Sequence, residues 1–396
     1  MSILMIRAAA LALLLTACDA NREEAGPGTR AASGAAIVRN AAGGTWTTAE
    51  RWRLVPDGTF ADPPSEPLMF PGVLEPGPAG TLYALDLGTQ RVHVYDAQGR
   101  HVRAFGRAGG GPGEFKQPVG MALAPDESLW VVDAGNLRYT VFDPVGVVRA
   151  THRRDGMHLR PWPGRFDRQG RLWDVETGPG GLGAAPVLVR RPMNAEPTER
   201  FELPAFSPAR WSFKKGPVEN MVNVPYSPEL VWALNPDGRI WSGISSEYRL
   251  VLHEPGGDTL RVSELPLPPV PVTAAERERA AKELKYFTDQ GGRIDLSQIP
   301  RHKPAFTSIH VDDQGYLWIR PALPEGANGS AFDVLDPEGK YLGRVTVPVQ
   351  LDYRMPVAVR GDRLYTVVLS KDDVPQLVRF RIEGRTSAET RVAARR

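Results

Sequence analysis

One short motif, repeated six times, limits what this 396-residue chain can fold into. A turn residue, usually glycine, is followed by one or two spacers, then Leu or Ile, then Trp or Tyr. The copies are Gly80-Thr81-Leu82-Tyr83, Glu127-Ser128-Leu129-Trp130, Gly170-Arg171-Leu172-Trp173, Gly238-Arg239-Ile240-Trp241, Gly315-Tyr316-Leu317-Trp318 and Gly361-Asp362-Arg363-Leu364-Tyr365. Their aromatic residues lie 47, 43, 68, 77 and 47 residues apart. Recurrence on this scale marks a repeat architecture, in which each unit buries its apolar face against its neighbours.

The residues after each motif give the unit its form. Val131-Val132-Asp133 leads through Gly135-Asn136 to Leu137–Asp143, then a Pro144-Val145-Gly146 turn and Val147-Val148-Arg149. Ala84-Leu85-Asp86, Gln90–Asp96, Gly99 and Val102–Phe105 run in parallel with it. Apolar and polar residues alternate, and Asp, Gly or Pro closes each run, which is the pattern of antiparallel strands joined by tight turns. Four such strands make a propeller blade, so six copies predict an all-β, six-bladed β-propeller of four-stranded antiparallel blades over residues 46–385. Composition agrees: Gly (40) and Pro (37) are about 19% of the chain, against an ordinary level of roughly 12%. The final copy supplies only three strands, 357–359, 364–369 and 376–382, and the segment 50–55 is the expected fourth, closing the ring. Trp130, Trp173, Trp241 and Trp318 are expected to fill the gaps between blades, and Asp86 and Asp133 with Arg91 and Arg138 to shape turns and strand pairs.

The segment Phe105-Gly106-Arg107-Ala108-Gly109-Gly110-Gly111-Pro112-Gly113-Glu114-Phe115-Lys116-Gln117-Pro118 resembles the connection between NHL repeats. Those repeats continue into a G-x-L-[WY]-V-x-D strand, matched here except for Glu127 in the glycine position. The whole chain resembles bacterial six-bladed β-propeller lipoproteins related to NHL proteins. That resemblance implies fold and anchoring, and no shared reaction.

Residues 1–17 read as a signal peptide, since the apolar run 8–17 is too short to cross a bilayer. It ends Leu15-Thr16-Ala17-Cys18, which resembles the lipobox of bacterial lipoproteins, and Cys18 is the only cysteine in the chain. The expectation is therefore lipidation at Cys18, a membrane anchor, and a place in the bacterial cell envelope facing the periplasm or exterior. Residues 18–45, poor in bulky apolar side chains, read as a flexible tether, and 386–396 as a basic tail. A net charge of +2 argues against a nucleic-acid partner. The expected state is a monomer.

Two long excursions interrupt the repeat. The first, 206–226, carries Trp211, Phe213, Lys214 and Lys215. The second, 270–305, contains a predicted helix over 273–287, with Thr273 and Glu276 spaced as a capping box. Such loops are either functional surfaces or lids over blade edges. A third connection, 151–163, gathers His152, Arg153, Arg154, His158 and Trp162, a candidate site for an anionic or sugar-like ligand. The glycine cluster 106–113 lacks the Gly-Lys-Ser/Thr ending of a phosphate loop. The seven histidines show no paired helical spacing for zinc, and no Gly-x-Ser-x-Gly elbow occurs. The reading is a membrane-anchored envelope propeller that binds a protein, peptide or glycan partner through its loop face, with Trp162, Trp211, Lys214 and Lys215 among the contact candidates. The alternative is a calcium-dependent hydrolase or lyase with its site in the central channel, which needs several convergent Asp, Glu or Asn side chains.

Overall fold

Each repeat of the motif lays down the second strand of a sheet, and six sheets arranged around one axis make the protein. The structure, a computed structural model, describes residues 29–30, 34–62, 67–154, 162–176, 187–192 and 199–385. Blade 1 comprises Pro71–Pro76, Leu82–Asp86, Arg91–Tyr95 and His101–Phe105, and blade 2 Pro118–Leu123, Leu129–Asp133, Arg138–Phe142 and Val148–Arg153. Blade 3 is Arg165–Phe166, Leu172–Glu176, Val187–Arg191 and Glu199–Glu202. Blade 4 is Leu230–Leu234, Ile240–Ile244, Arg249–His253 and Thr259–Glu264, and blade 5 Phe306–Val311, Leu317–Pro321, Ser330–Leu335 and Tyr341–Val347. All pairings within these blades are antiparallel. The first strand of each blade lies innermost, beside the first strand of at least one neighbouring blade.

Blade 6 joins the two ends of the described chain. Val357–Arg360, Arg363–Leu369 and Pro375–Glu383 supply three strands, and Arg53–Thr59 pairs antiparallel with Pro375–Glu383 as the fourth. The ring thus closes as the sequence predicts. Arg385 adds a clasp: its guanidinium lies over Trp52 and Tyr316, 4.9 and 5.0 Å from the ring centres. The same group sits 2.7 Å from the Asp312 carboxylate, with both side chains fully buried. Part of the stretch expected as a tether is built into the fold: Ala36–Arg39 adds to the outer strand of blade 4 in parallel, and the Trp46 ring meets Trp52 at a tilt, 5.1 Å between centres.

The motif works through its turn. Asp167 accepts hydrogen bonds from the backbone N–H of Gln169 and Arg171, both at 3.0 Å, and from the Trp173 indole at 2.9 Å. Asp312 does the same for Gln314, Tyr316 and Trp318. One carboxylate therefore fixes both the turn and the ring that enters the gap between blades. Trp173, Trp241 and Trp318 have no exposed surface, as expected of core. Asp86 and Asp133, at the ends of second strands, do more than shape turns. Asp86 accepts from the N–H groups of Met69 and Phe70, and Asp133 from those of Lys116 and Gln117, so each pins the incoming connection from the previous blade.

The motif's turn residue has positive φ in every copy: 78° at Gly80, 74° at Gly170, 89° at Gly238, 91° at Gly315, 57° at Gly361 and 63° at Glu127. A side chain in this left-handed region costs about 1 kcal/mol relative to glycine. Glu127→Gly is therefore expected to stabilise the protein by about 1 kcal/mol, read as a higher midpoint in thermal or denaturant unfolding.

Candidate functional site

The inner strands surround a central channel, and one end of it is tied shut. Arg165 on blade 3 donates from Nη1 to the carbonyls of Leu234 on blade 4 and Val311 on blade 5, at 3.2 and 3.1 Å. Arg360 on blade 6 donates to Pro76 O on blade 1 at 3.0 Å, and Arg168 to Asp313 O at 3.1 Å. Glu75 accepts from Leu123 N at 3.4 Å and feels the positive charges of Arg165 and Arg360. It keeps some contact with the lumen but lies deep in the ring, and burial pushes its carboxyl up to about 7 against the pull of both arginines. No sequence signal marks these residues, because they meet only when the ring closes.

Glu75 makes stability depend on pH. Its ordinary value is 4.5, so below that pH the carboxyl is neutral whether the chain is folded or not. Between about 4.5 and 7 the unfolded chain releases this proton while the folded chain keeps it, and stability falls as pH rises. Glu75→Gln should remove this slope, worth about 2 kcal/mol once lumen contact is allowed for. Urea unfolding of both proteins from pH 4.5 to 8 measures it, the wild type losing stability relative to the variant as pH rises.

The opposite end carries the connections between blades, and there the two excursions meet. Residues Arg210–Lys215 and Val218–Asn223 form a hairpin. The second excursion holds the helix Ala274–Glu283 and a further turn, Lys285–Asp289. Thr273 and Glu276 form the expected capping box, each side chain bonded to the other's backbone N–H at 3.1 Å. Hairpin and helices share a core of Trp211, Val224, Val272, Phe287 and Ile299, and the Phe213 and Phe287 rings meet edge-on at 5.1 Å. Together they form one cap. Trp211, a contact candidate in the sequence, is 6% exposed and donates to Gln298 Oε1 at 2.7 Å, so it is the centre of the cap rather than its surface. Lys214 and Lys215 are exposed on the hairpin. Trp211→Ala should cost the cap about 3 kcal/mol, with faster hydrogen exchange over 210–223 and 274–299 and unchanged protection in blades 1 and 2.

The other candidates form a different structure from the one expected. Asp174, fully buried, accepts from Arg154 Nε at 2.7 Å and Nη2 at 3.0 Å, and also from the Tyr139 hydroxyl and the Trp162 indole. Arg154 and Trp162 are 1% and 7% exposed. They lock blade 2 to blade 3, and a Cβ at Gly120 would fall 2.4 Å from Trp162, so glycine there makes room for the ring. His152 stacks on Trp130, 4.9 Å apart and nearly parallel, and burial lowers its pKa. Arg153 is exposed on the outer strand. His158 and Cys18 lie outside the described residues.

Two clefts open beside blade 4 near the cap. The larger, of ≈ 740 Å³, lies toward blade 5 and is walled by prolines 266, 268, 269, 321 and 324, with Arg39, Arg249, Lys303 and Arg344 around it. The smaller, of ≈ 350 Å³, lies toward blade 3. Among the described residues, no three His, Cys, Asp or Glu side chains are grouped to hold a metal ion, and none of the helices is long and apolar enough to cross a membrane. Arginines 165 and 360 occupy the closed end of the channel.

No protein-family model matches the chain, and no curated relative matches it either. Among solved structures it is similar to a candidate exported protein from Bacteroides fragilis, with a TM-score of 0.53 at 10% identity, covering 88% of this chain and 99% of that one. A DUF4221 family member from Bacteroides vulgatus gives a TM-score of 0.52 at 12% identity over 85% and 99%. Virginiamycin B lyase from Staphylococcus aureus gives 0.45 at 10% identity over 83% and 99%. At these identities the likeness is one of fold. The class is a six-bladed propeller with a cap over the face that bears its inter-blade connections.

Proposed function

We propose that this protein is an envelope-anchored binding propeller whose capped loop face holds a protein partner. The observation that carries the reading is the distribution of exposed apolar side chains. Of the thirteen large apolar residues exposed among the described residues, ten sit on connections or strand ends at the capped face, or on the cap itself. They include Met69, Phe70, Leu137, Tyr286, Tyr353 and Val374, with Tyr353 81% exposed. Single exposed apolar residues need no explanation, but their concentration on one face supports reading it as an interaction surface. Large aromatic and Met side chains are also those that carry most of the energy at protein interfaces.

The anchor belongs to the same proposal. Lipidated Cys18 would hold the chain at a membrane. The exported character given to the Bacteroides fragilis neighbour supports an extracytoplasmic setting. The cap adds a wall beside the cleft toward blade 5, whose prolines suit an extended chain.

Photo-crosslinkers placed at Tyr286 and Tyr353 in cells should join the protein to one envelope polypeptide. A crosslinker at Val145, on a turn at the opposite end of blade 2, should not. Replacing both tyrosines by serine should lower recovery of that polypeptide by at least about tenfold with the melting midpoint unchanged. Equal crosslinking from Val145 would overturn the assignment of the face. Cys18→Ser should release the chain from the membrane fraction, and retention there would overturn the anchor.

A further inference from the structure

The cleft between blades 3 and 4 holds a pair of groups with a chemistry of their own. Ser242 on the second strand of blade 4 and His253 on its third both line it. The strand register puts them on one face of the sheet. Ser242 stands opposite Val251, and Arg249, Val251 and His253 alternate toward that same side. Trp241, one residue earlier, points the other way into the core shared with blade 5. Ser242 Oγ lies 3.1 Å from His253 Nε2, and the two residues are 3% and 7% exposed.

In the tautomer protonated at Nδ1, Nε2 receives the Ser242 proton. Burial lowers the His253 pKa below its ordinary value, which keeps the imidazole neutral and basic near neutral pH. A hydroxyl bonded to a neutral imidazole is the arrangement that activates serine. Leu203, Leu230, Ile244 and Val251 give the cleft apolar walls, and Arg249 lines it with Glu202 and Glu247, its guanidinium 3.5 Å from the Glu264 carboxylate. Ser308 and His310 on blade 5 are also 3.1 Å apart but line neither cleft, so the molecule carries its own comparison.

We propose that Ser242 is the nucleophile and His253 the general base of an acyl-transfer site that hydrolyses small carboxylic esters, with Arg249 as the cation for developing negative charge. The cleft volume of ≈ 350 Å³ limits the substrate to a small one. Ser242 Oγ attacks the carbonyl carbon as its proton passes to His253 Nε2. Collapse of the tetrahedral intermediate breaks the bond to the leaving alkoxide, which takes that proton and departs as the alcohol. Water then attacks the acyl-serine, giving one proton to His253. On collapse that proton returns to Ser242 Oγ, and the carboxylic acid leaves.

The test is labelling of the full-length protein with a fluorophosphonate probe, followed by peptide mapping, alongside hydrolysis of p-nitrophenyl acetate. One adduct is expected, on Ser242, absent from Ser242→Ala and formed about 100-fold more slowly in His253→Gln. Its rate should begin to fall at a lower pH than an ordinary imidazole would give, because burial holds the ring neutral further down. Folded wild-type protein with no adduct on Ser242, or with the label on Ser308 or elsewhere, overturns the proposal. A rate unchanged in His253→Gln overturns the base.

Discussion

Everything in this molecule depends on one pairing, that of Arg53–Thr59 with Pro375–Glu383. Until it forms, blade 6 lacks its outer strand and the first and last blades each leave a face uncovered. The partners are more than three hundred residues apart in sequence, so the pairing carries a large loop-closure cost that only the completed ring offsets. The Arg385–Asp312 contact and the rings of Trp52, Tyr316 and Trp318 sit at that seam. They seal the seam between blades 5 and 6 with burial and charge together. The channel ties follow from the same event, since Arg165 reaches two other blades only when all six stand around the axis.

Within the ring the blades are held by a small set of carboxylates used repeatedly. Asp86 and Asp133 fasten incoming connections, Asp167 and Asp312 fasten turns and indoles, and Asp174 fastens blade 2 to blade 3. Each is buried and accepts several hydrogen bonds, so its charge is compensated where it would otherwise be costly. This division explains why Arg154 and Trp162, in the polar cluster after blade 2, are built into the blades. Arg154 and Trp162 look like ligand groups in a list of residue types, but Asp174 has already engaged them. The capped face differs in kind. Its exposed apolar side chains lack a covering element among the described residues, and the cap stands beside them as a separate packed body.

Much of this was legible from sequence because a repeat is local information written six times. The turn residue and the aromatic report a backbone conformation and a buried gap, and six copies of that pair fix the number of blades, with a closing Asp marking the end of the second strand in the first two. The capping box at Thr273 and Glu276 is local too. The role of Trp211 was not legible: an aromatic in a polar excursion has the same local pattern whether it faces solvent or a second excursion some sixty residues on. Gln298, its partner, carries no mark that would connect the two. The strand at Ala36–Arg39 was hidden for a related reason, since a short Ala-Ile-Val-Arg run becomes a strand only where a blade edge is free to receive it.

The sequence by itself therefore determined the blade, the number of blades and the closure of the ring, because periodic burial and turn geometry act over a few residues. Tertiary structure alone decided which polar groups are spent on holding the blades and which remain at a cleft or on a surface. Glu75 meets Arg165 and Arg360, Ser242 meets His253, and Trp211 meets Phe287 through strand register and ring closure. Those relations depend on distances in space that no spacing along the chain encodes.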